Sequence, residues 1–155
     1  GSRSEHAGII KDGAKMVNAV ANSVVPKITI YIGNSYGAGN YAMCGKAYDP
    51  RFIYAWPYAR LAAMGGEQAA KTVLQSQINS LKSKGKELTP DEENALLEKI
   101  RERYEEQSTA YYAAARLMVD GIIDPVDTRR VIAEGIAAAN HNPHIEPFRT
   151  GVIQV

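Results

Sequence analysis

An α/β fold is predicted for this 155-residue chain, on three observations. The run Ile28–Ile32 alternates, with Ile28, Ile30 and Ile32 on one side and Thr29 and Tyr31 on the other, which is the period of a β-strand. A glycine-rich turn, Gly33 to Gly39, leads from that strand into a short helix read at Asn40–Cys44. On both sides of this unit, apolar residues recur at spacings of three and four. Short strands alternating with helices form layers around one core.

The elements follow in order. Residues 1–7 are small, polar and charged, and a loose lead-in is expected. From Gly8, the residues Ile10, Ala14, Val17 and Ala21 give a helix one apolar face. Asn22 and Ser23 end it, and Pro26 prevents its continuation. After the first strand, Gly33, Asn34 and Ser35 read as turn. Asp49-Pro50 centres another turn, Phe52–Trp56 reads as a second strand stopped by Pro57, and Arg60–Met64 as a third. Gly65-Gly66 opens a helix over about 67–79, with Glu67 placed against its dipole.

Residues 81–108 are dense in Lys and Glu and read as a solvated helical insertion. Thr89-Pro90-Asp91-Glu92 starts its helix as a capping box with proline in the first turn. Leu96, Leu97, Ile100 and Tyr104 form one thin apolar stripe. Tyr111–Val119 is expected to be a further helix, ended by Asp120-Gly121. The last helix starts with Asp124 as N-cap and carries Val131, Ile132, Gly135, Ile136 and Ala139 on its apolar face. The tail from Asn142 is expected to be extended. The strands are few for an autonomous sheet, so the chain reads as part of a larger one.

Composition narrows the function classes. The formal net charge is +1, which gives no strong pull toward nucleic acid or an anionic membrane. No apolar run approaches the length of a membrane span, and the first residues show no hydrophobic signal region. Cys44 is the one cysteine, so no internal disulfide framework exists; it reads as a buried, inert thiol. His6, His141 and His144 make no metal spacing with it, and no metal site is expected.

The chemistry is concentrated in the glycine turn. A strand, a glycine turn and a helix start leave backbone N–H groups without helical partners, at the positive end of the helix dipole. Small residues let a ligand approach them closely. Such an arrangement suits an oxyanion hole or an anion cradle. It also describes any tight strand-to-helix turn. Gly37-Ala38-Gly39-Asn40-Tyr41-Ala42 matches the dinucleotide fingerprint, but its context is wrong. Asn34, Ser35 and Tyr36 separate the strand from the first glycine, and the next strand ends in no acidic residue for a ribose. No Asp, Glu or His near the turn offers an obvious general base.

The run GIIKDGAKMVNAVANSVVPKITIYIGNSYGAGNYAMCGKAYDPRFIYAWPYARLAAMGGEQAA resembles the carboxyltransferase β subunits of biotin-dependent acyl-CoA carboxylases. Within that group it is most similar to the 3-methylcrotonyl-CoA type, followed by the geranyl-CoA type. YYAAARLMVDGIIDPVDTRRV is similar to the same type. The resemblance implies a crotonase-like layered fold. It covers the chain from Gly8 onward as the C-terminal part of the biotin-receiving half, with 81–108 as the helical insertion. The half that binds most of the acyl-CoA is outside it.

The implied chemistry agrees with the reading of the turn. Biotin, brought on a separate carrier domain or subunit, delivers the carboxyl group and then takes the substrate's α-proton, so no side-chain base is required. Two backbone oxyanion holes serve the reaction. The biotin-side one falls on the N–H groups of Ala38 and Gly39. Tyr36, Gly37 and Tyr41 shape its pocket. Met64, Gly65 and Gly66 form a second glycine turn nearby, and Gly8, Ile9 and Ile10 border the biotin. Implied partners are the acyl-CoA substrate, the biotin carboxylase or carrier subunit, the N-terminal carboxyltransferase half and neighbouring copies in a homo-oligomer. The implied compartment is the bacterial cytoplasm or the mitochondrial matrix. Three readings stay open at this point: a segment of such an enzyme, an inactive fragment that only self-associates, and a dinucleotide binder. Propionyl-, acetyl- and geranyl-CoA also remain as substrates.

Overall fold

The computed structural model describes residues 2–148, and its organising element is a parallel sheet with helices on both faces. In chain order the elements are α1 (Ser2–His6), α2 (Ile9–Asn22), β1 (Ile28–Tyr31), β2 (Asn34–Tyr36), α3 (Gly37–Ala42), β3 (Phe52–Ala55), β4 (Arg60–Ala62), α4 (Gly66–Ser83), α5 (Pro90–Gln107), α6 (Ala110–Ala114), β5 (Gly121–Ile122) and α7 (Thr128–Asn140). Short 3₁₀ turns occupy Lys46–Tyr48 and Pro125–Asp127. Strands β1, β3 and β5 form one parallel sheet with β3 in the middle; β2 and β4 form a second parallel pair.

The first strand reverses a naive reading of its alternation. Its buried residues are Thr29 and Tyr31, 9% and 7% exposed, while Ile32 is 59% exposed and Ile28 and Ile30 are half-buried. In a parallel sheet both faces are covered, so apolarity alone does not say which face meets the densest core. On the inner face, Tyr31, Ile53 and Ala55 pack with Ala59, Ala110, Ala113 and Val119. The alanines let α6 approach the sheet closely. On the outer face lies α7. A side-chain carbon at Gly135 would come within 3.0 Å of Ile28 Cδ1 and 3.4 Å of Phe52 Cδ2, so glycine sets that helix-to-sheet distance. Trp56 Nε1 donates to Thr128 Oγ1 at 2.9 Å, fixing the start of α7 to the end of β3.

The start of α5 is as the sequence predicts. Thr89 Oγ1 accepts from the Glu92 N–H at 3.3 Å, and the Glu92 carboxylate accepts from the Thr89 N–H at 2.8 Å. Hydrogen bonds to Thr89 hold the Glu92 carboxyl below the usual carboxylate range. Ile100 is the buried residue of the apolar stripe, with Leu96, Leu97 and Tyr104 half-buried beside it; α5 packs back along α4 as a helical hairpin. The hairpin is tied to the body at its far end. Arg60 of β4 donates to the Glu105 carbonyl at 3.0 Å, and the Leu61 N–H to the Ser108 carbonyl at 2.8 Å. The last turn of α5 carries no basic residue of its own, so Arg60 supplies the cation that its dipole favours.

Several boundaries differ from the sequence reading. Residues expected as a loose lead-in form α1. Asn34 and Ser35, read as turn, belong to β2, because β4 supplies a partner that lies remote in sequence. The short helix begins at Gly37 rather than Asn40 and ends at Ala42, leaving Cys44 beyond it at φ 69°; the thiol is buried. The helix expected over Tyr111–Val119 stops at Ala114, and Leu117 turns left-handed at φ 58° before β5, which the sequence reading had as a helix end. The helix after Gly65-Gly66 runs on to Ser83. The tail shows neither helix nor strand through Phe148, and its remainder lies outside the described residues. Among the described residues, no helix is long and apolar enough to cross a membrane.

Candidate active-site turn

At the junction of β2 and α3 the backbone turns on Gly37. Its φ is +57°, a left-handed value that costs glycine little, and a side-chain carbon there would come 3.0 Å from the Ala63 carbonyl oxygen. The chain therefore enters α3 against the end of β4, with Tyr36 as N-cap in an extended conformation. Tyr36 supplies no side-chain hydrogen bond to the helix. Among the described residues, the N–H groups of Ala38 and Gly39 have no hydrogen-bond partner, and both residues are exposed. A side-chain carbon at Gly39 would meet nothing within 4 Å.

Next to this turn lies a cleft of about 860 Å³. Gly37, Ala38 and Tyr41 form one wall and Leu61, Ala62 and Ala63 of β4 and its end form another; Tyr104 and Tyr112 close it from the helical side. Among the described residues its lining holds no Asp, Glu or His, and Lys46 is its one basic side chain. Lys46 Nζ lies 3.8 Å from Asp120 Oδ1, and Asp120 Oδ2 accepts from the Ile53 N–H at 2.7 Å. The chemistry available here is hydrogen-bond donation from fixed backbone groups in a mainly apolar surround, the arrangement that stabilises an anionic oxygen.

Two hydroxyls hold α3 from below. Tyr31 Oη donates to Asn40 Oδ1 at 3.0 Å, and Thr29 Oγ1 donates to the Cys44 carbonyl at 2.8 Å. Burial pushes the Tyr31 phenol up from its usual range, so it remains a donor at neutral pH. Gly45 completes the seat, since a side-chain carbon there would fall 2.5 Å from Asn40 Oδ1.

The structure brings together some of the residues named from sequence and leaves others apart. Gly37, Ala38 and Tyr41 share the cleft. The second glycine turn adjoins the first, with the Tyr36 ring 3.9 Å from where a side-chain carbon of Gly65 would sit. Tyr36, Gly65 and Gly66 line a separate shallow depression. Met64 is half-buried and Gly39 is exposed, and neither lines the cleft. Gly8, Ile9 and Ile10 stand at the start of α2, away from the cleft lining, with Ile10 75% exposed. Sequence reasoning missed Tyr31, Asn40, Thr29 and the tyrosine wall. The signal that could have found Thr29 and Tyr31 was a pair of hydroxyls at alternate positions of an isoleucine strand.

Parallel strands that run through glycine turns, with helices on both faces, make a layered α/β fold, and the likeness to solved carboxyltransferase subunits places it in the crotonase-like class. The β subunit of geranyl-CoA carboxylase from P. aeruginosa superposes with a TM-score of 0.76 at 41% identity, over 100% of this chain and 32% of that one. A transcarboxylase 12S structure, described as a hexamer with methylmalonyl-coenzyme A bound, gives 0.80 at 36%, over 100% and 28%. The chain belongs to the carboxyl transferase domain family, whose model matches residues 1–151. The biotin-dependent 3-methylcrotonyl-coenzyme A carboxylase beta1 subunit of Mycobacterium tuberculosis is 52% identical over 139 residues, 90% of this chain and 26% of that protein. The chain spans about a quarter of the length of the curated relatives it matches.

Proposed function

We propose that this chain is the biotin-receiving part of a carboxyltransferase that moves a carboxyl group from carboxybiotin to an acyl-CoA of the 3-methylcrotonyl type. The observation that carries this reading is the pair of partnerless N–H groups at Ala38 and Gly39, beside a cleft without an acidic or histidine side chain. Family membership and the named relatives support it. In it, residues 1–155 are the C-terminal part of the transferase half, and 81–108 are its charged insertion.

A biotin head fits the turn by the chemistry of the donors. Its ureido oxygen is a small acceptor, the adjacent Ala38 and Gly39 N–H groups have no partner among the described residues, and a side-chain carbon at Gly39 would meet nothing within 4 Å. When bound, biotin supplies the transferable carboxyl group. Ala38 and Gly39 would hold the ureido oxygen and stabilise negative charge on it. Gly37 keeps the turn tight against Ala63. Tyr41 would shape the pocket from the cleft side, Tyr36, Gly65 and Gly66 from the adjoining depression with Met64 beside them, and Gly8, Ile9 and Ile10, which stand outside the cleft lining, would border the biotin at its outer side. The acyl-CoA thioester is held by the N-terminal half of a neighbouring subunit, and the carrier arrives from a biotin carboxylase subunit. The protein works in the bacterial cytoplasm or, if eukaryotic, in the mitochondrial matrix; the relatives from Dictyostelium discoideum and Arabidopsis thaliana are named as mitochondrial.

Two tests follow. The purified 155-residue chain is expected to carboxylate no acyl-CoA, because it spans only about a quarter of the length of its carboxylase relatives. Turnover by the chain alone, free of contaminating carboxylase, would contradict the division of labour. The chain is also expected to self-associate, since Ile10, Ile32 and Met43 leave apolar surface open on α2 and just past the ends of β1 and α3. A clean monomer by light scattering at high concentration would refute that.

A further inference from the structure

The α3 turn is held by a polar seat where a strand face would ordinarily be apolar. Thr29 and Tyr31 occupy the inner face of β1, and each uses its hydroxyl on the α3 segment. Tyr31 reaches Asn40 inside the helix at 3.0 Å, and Thr29 reaches the Cys44 carbonyl just past its end at 2.8 Å. Two fixed points, four residues apart, set how α3 is rotated about its own axis. The helix has only six residues and no side-chain N-cap, so its orientation depends on tertiary contacts. Cys44 sits at φ 69°, a conformation that residues other than glycine seldom adopt, and the Thr29 bond lands on that residue's carbonyl. Apolar residues at 29 and 31 would fill the same space without specifying a rotation. Tyr31 and Asn40 line the same cleft as Ala38, and Asn40 follows Gly39 directly in α3, so the seat bears on the helix that carries both donors.

We propose that Thr29, Tyr31 and Asn40 are positioning residues that aim the Ala38 and Gly39 amides, so that their hydrogen bonds govern turnover rather than substrate affinity. This rests on the oxyanion-hole reading above. A small rotation of α3 moves the donors off the oxygen they serve, and misplacement on the ångström scale costs up to about 100-fold in rate.

The test uses the full-length carboxylase subunit that carries this segment, assembled with its biotin subunit. Tyr31→Phe, Thr29→Val, Thr29→Ser and Gly39→Pro are compared for kcat, KM for acyl-CoA and melting temperature. Tyr31→Phe and Thr29→Val are expected to lower kcat by about tenfold, with KM unchanged and at a temperature where both remain folded. Thr29→Ser, which keeps the hydroxyl, is expected to restore the rate. If Gly39→Pro loses its rate while Tyr31→Phe and Thr29→Val keep full kcat, the positioning role is overturned and the oxyanion-hole reading stands. If Thr29→Ser is as slow as Thr29→Val, the hydroxyl is not what matters and the proposal falls. If folded Gly39→Pro retains near-normal turnover, the reading and this inference fall together.

Discussion

Gly39→Pro in the full-length enzyme is expected to reduce turnover by about 100-fold or more. Proline has no N–H, so the substitution deletes one of the two donors outright. Removing a single oxyanion donor elsewhere costs roughly 3–4 kcal/mol of transition-state stabilisation. The position tolerates the ring better than most, because the Gly39 N–H bonds nothing among the described residues and lies in the first helical turn, where a missing donor breaks no helical bond. Gly39→Ala separates donor loss from crowding. It keeps the N–H, meets no atom within 4 Å and needs no left-handed φ, so near-normal turnover is expected. A melting curve for each variant checks folding. Equal rates for folded Gly39→Pro and the parent would show that the turn is only structural.

Ile53→Ala is expected to give the largest loss of stability in the isolated chain. Ile53 is 0% exposed and is the largest side chain buried so completely among the described residues. It sits in β3, the middle strand of the three-stranded sheet, inside the cluster that includes Tyr31, Ala55 and Val119. The neighbours are mostly alanines, whose short side chains cannot swing into the space left behind. Truncation of a buried isoleucine costs about 2–5 kcal/mol. At this chain length the melting temperature should fall by roughly 10 °C. Urea unfolding monitored by circular dichroism measures it directly, and a loss below about 1 kcal/mol would mean that β3 is not at the centre of the core.

How much of this was legible depended on how local each signal is. The Thr89–Glu92 capping box is decided within four residues, and it formed as read. The core of β1 and the start of α2 are equally local; Asp124, read as the N-cap of the last helix, instead caps the 3₁₀ turn Pro125–Asp127, its carboxylate accepting from the Val126 N–H at 2.9 Å, and α7 begins only at Thr128. The start of α3 was misplaced by three residues because glycines carry helix poorly, whereas here the left-handed Gly37 starts it against Ala63. Strands β2 and β5 have three and two residues, too few to show a period, and exist through partners distant in sequence. The inner face of β1 was hidden because its core residues are a threonine and a tyrosine, whose bonds reach Cys44 and Asn40 across the turn. Ala38 could be named from glycine spacing and resemblance. Tyr104 and Tyr112, which close the cleft, follow only once the α4–α5 hairpin folds back onto β4.

The most direct measurement is a structure of the full-length subunit with biotin bound. The account places the ureido oxygen about 2.7–3.1 Å from both the Ala38 and Gly39 nitrogens, with Tyr31 still donating to Asn40 beneath them. Biotin seated against other donors, with the α3 turn facing only solvent, would contradict it.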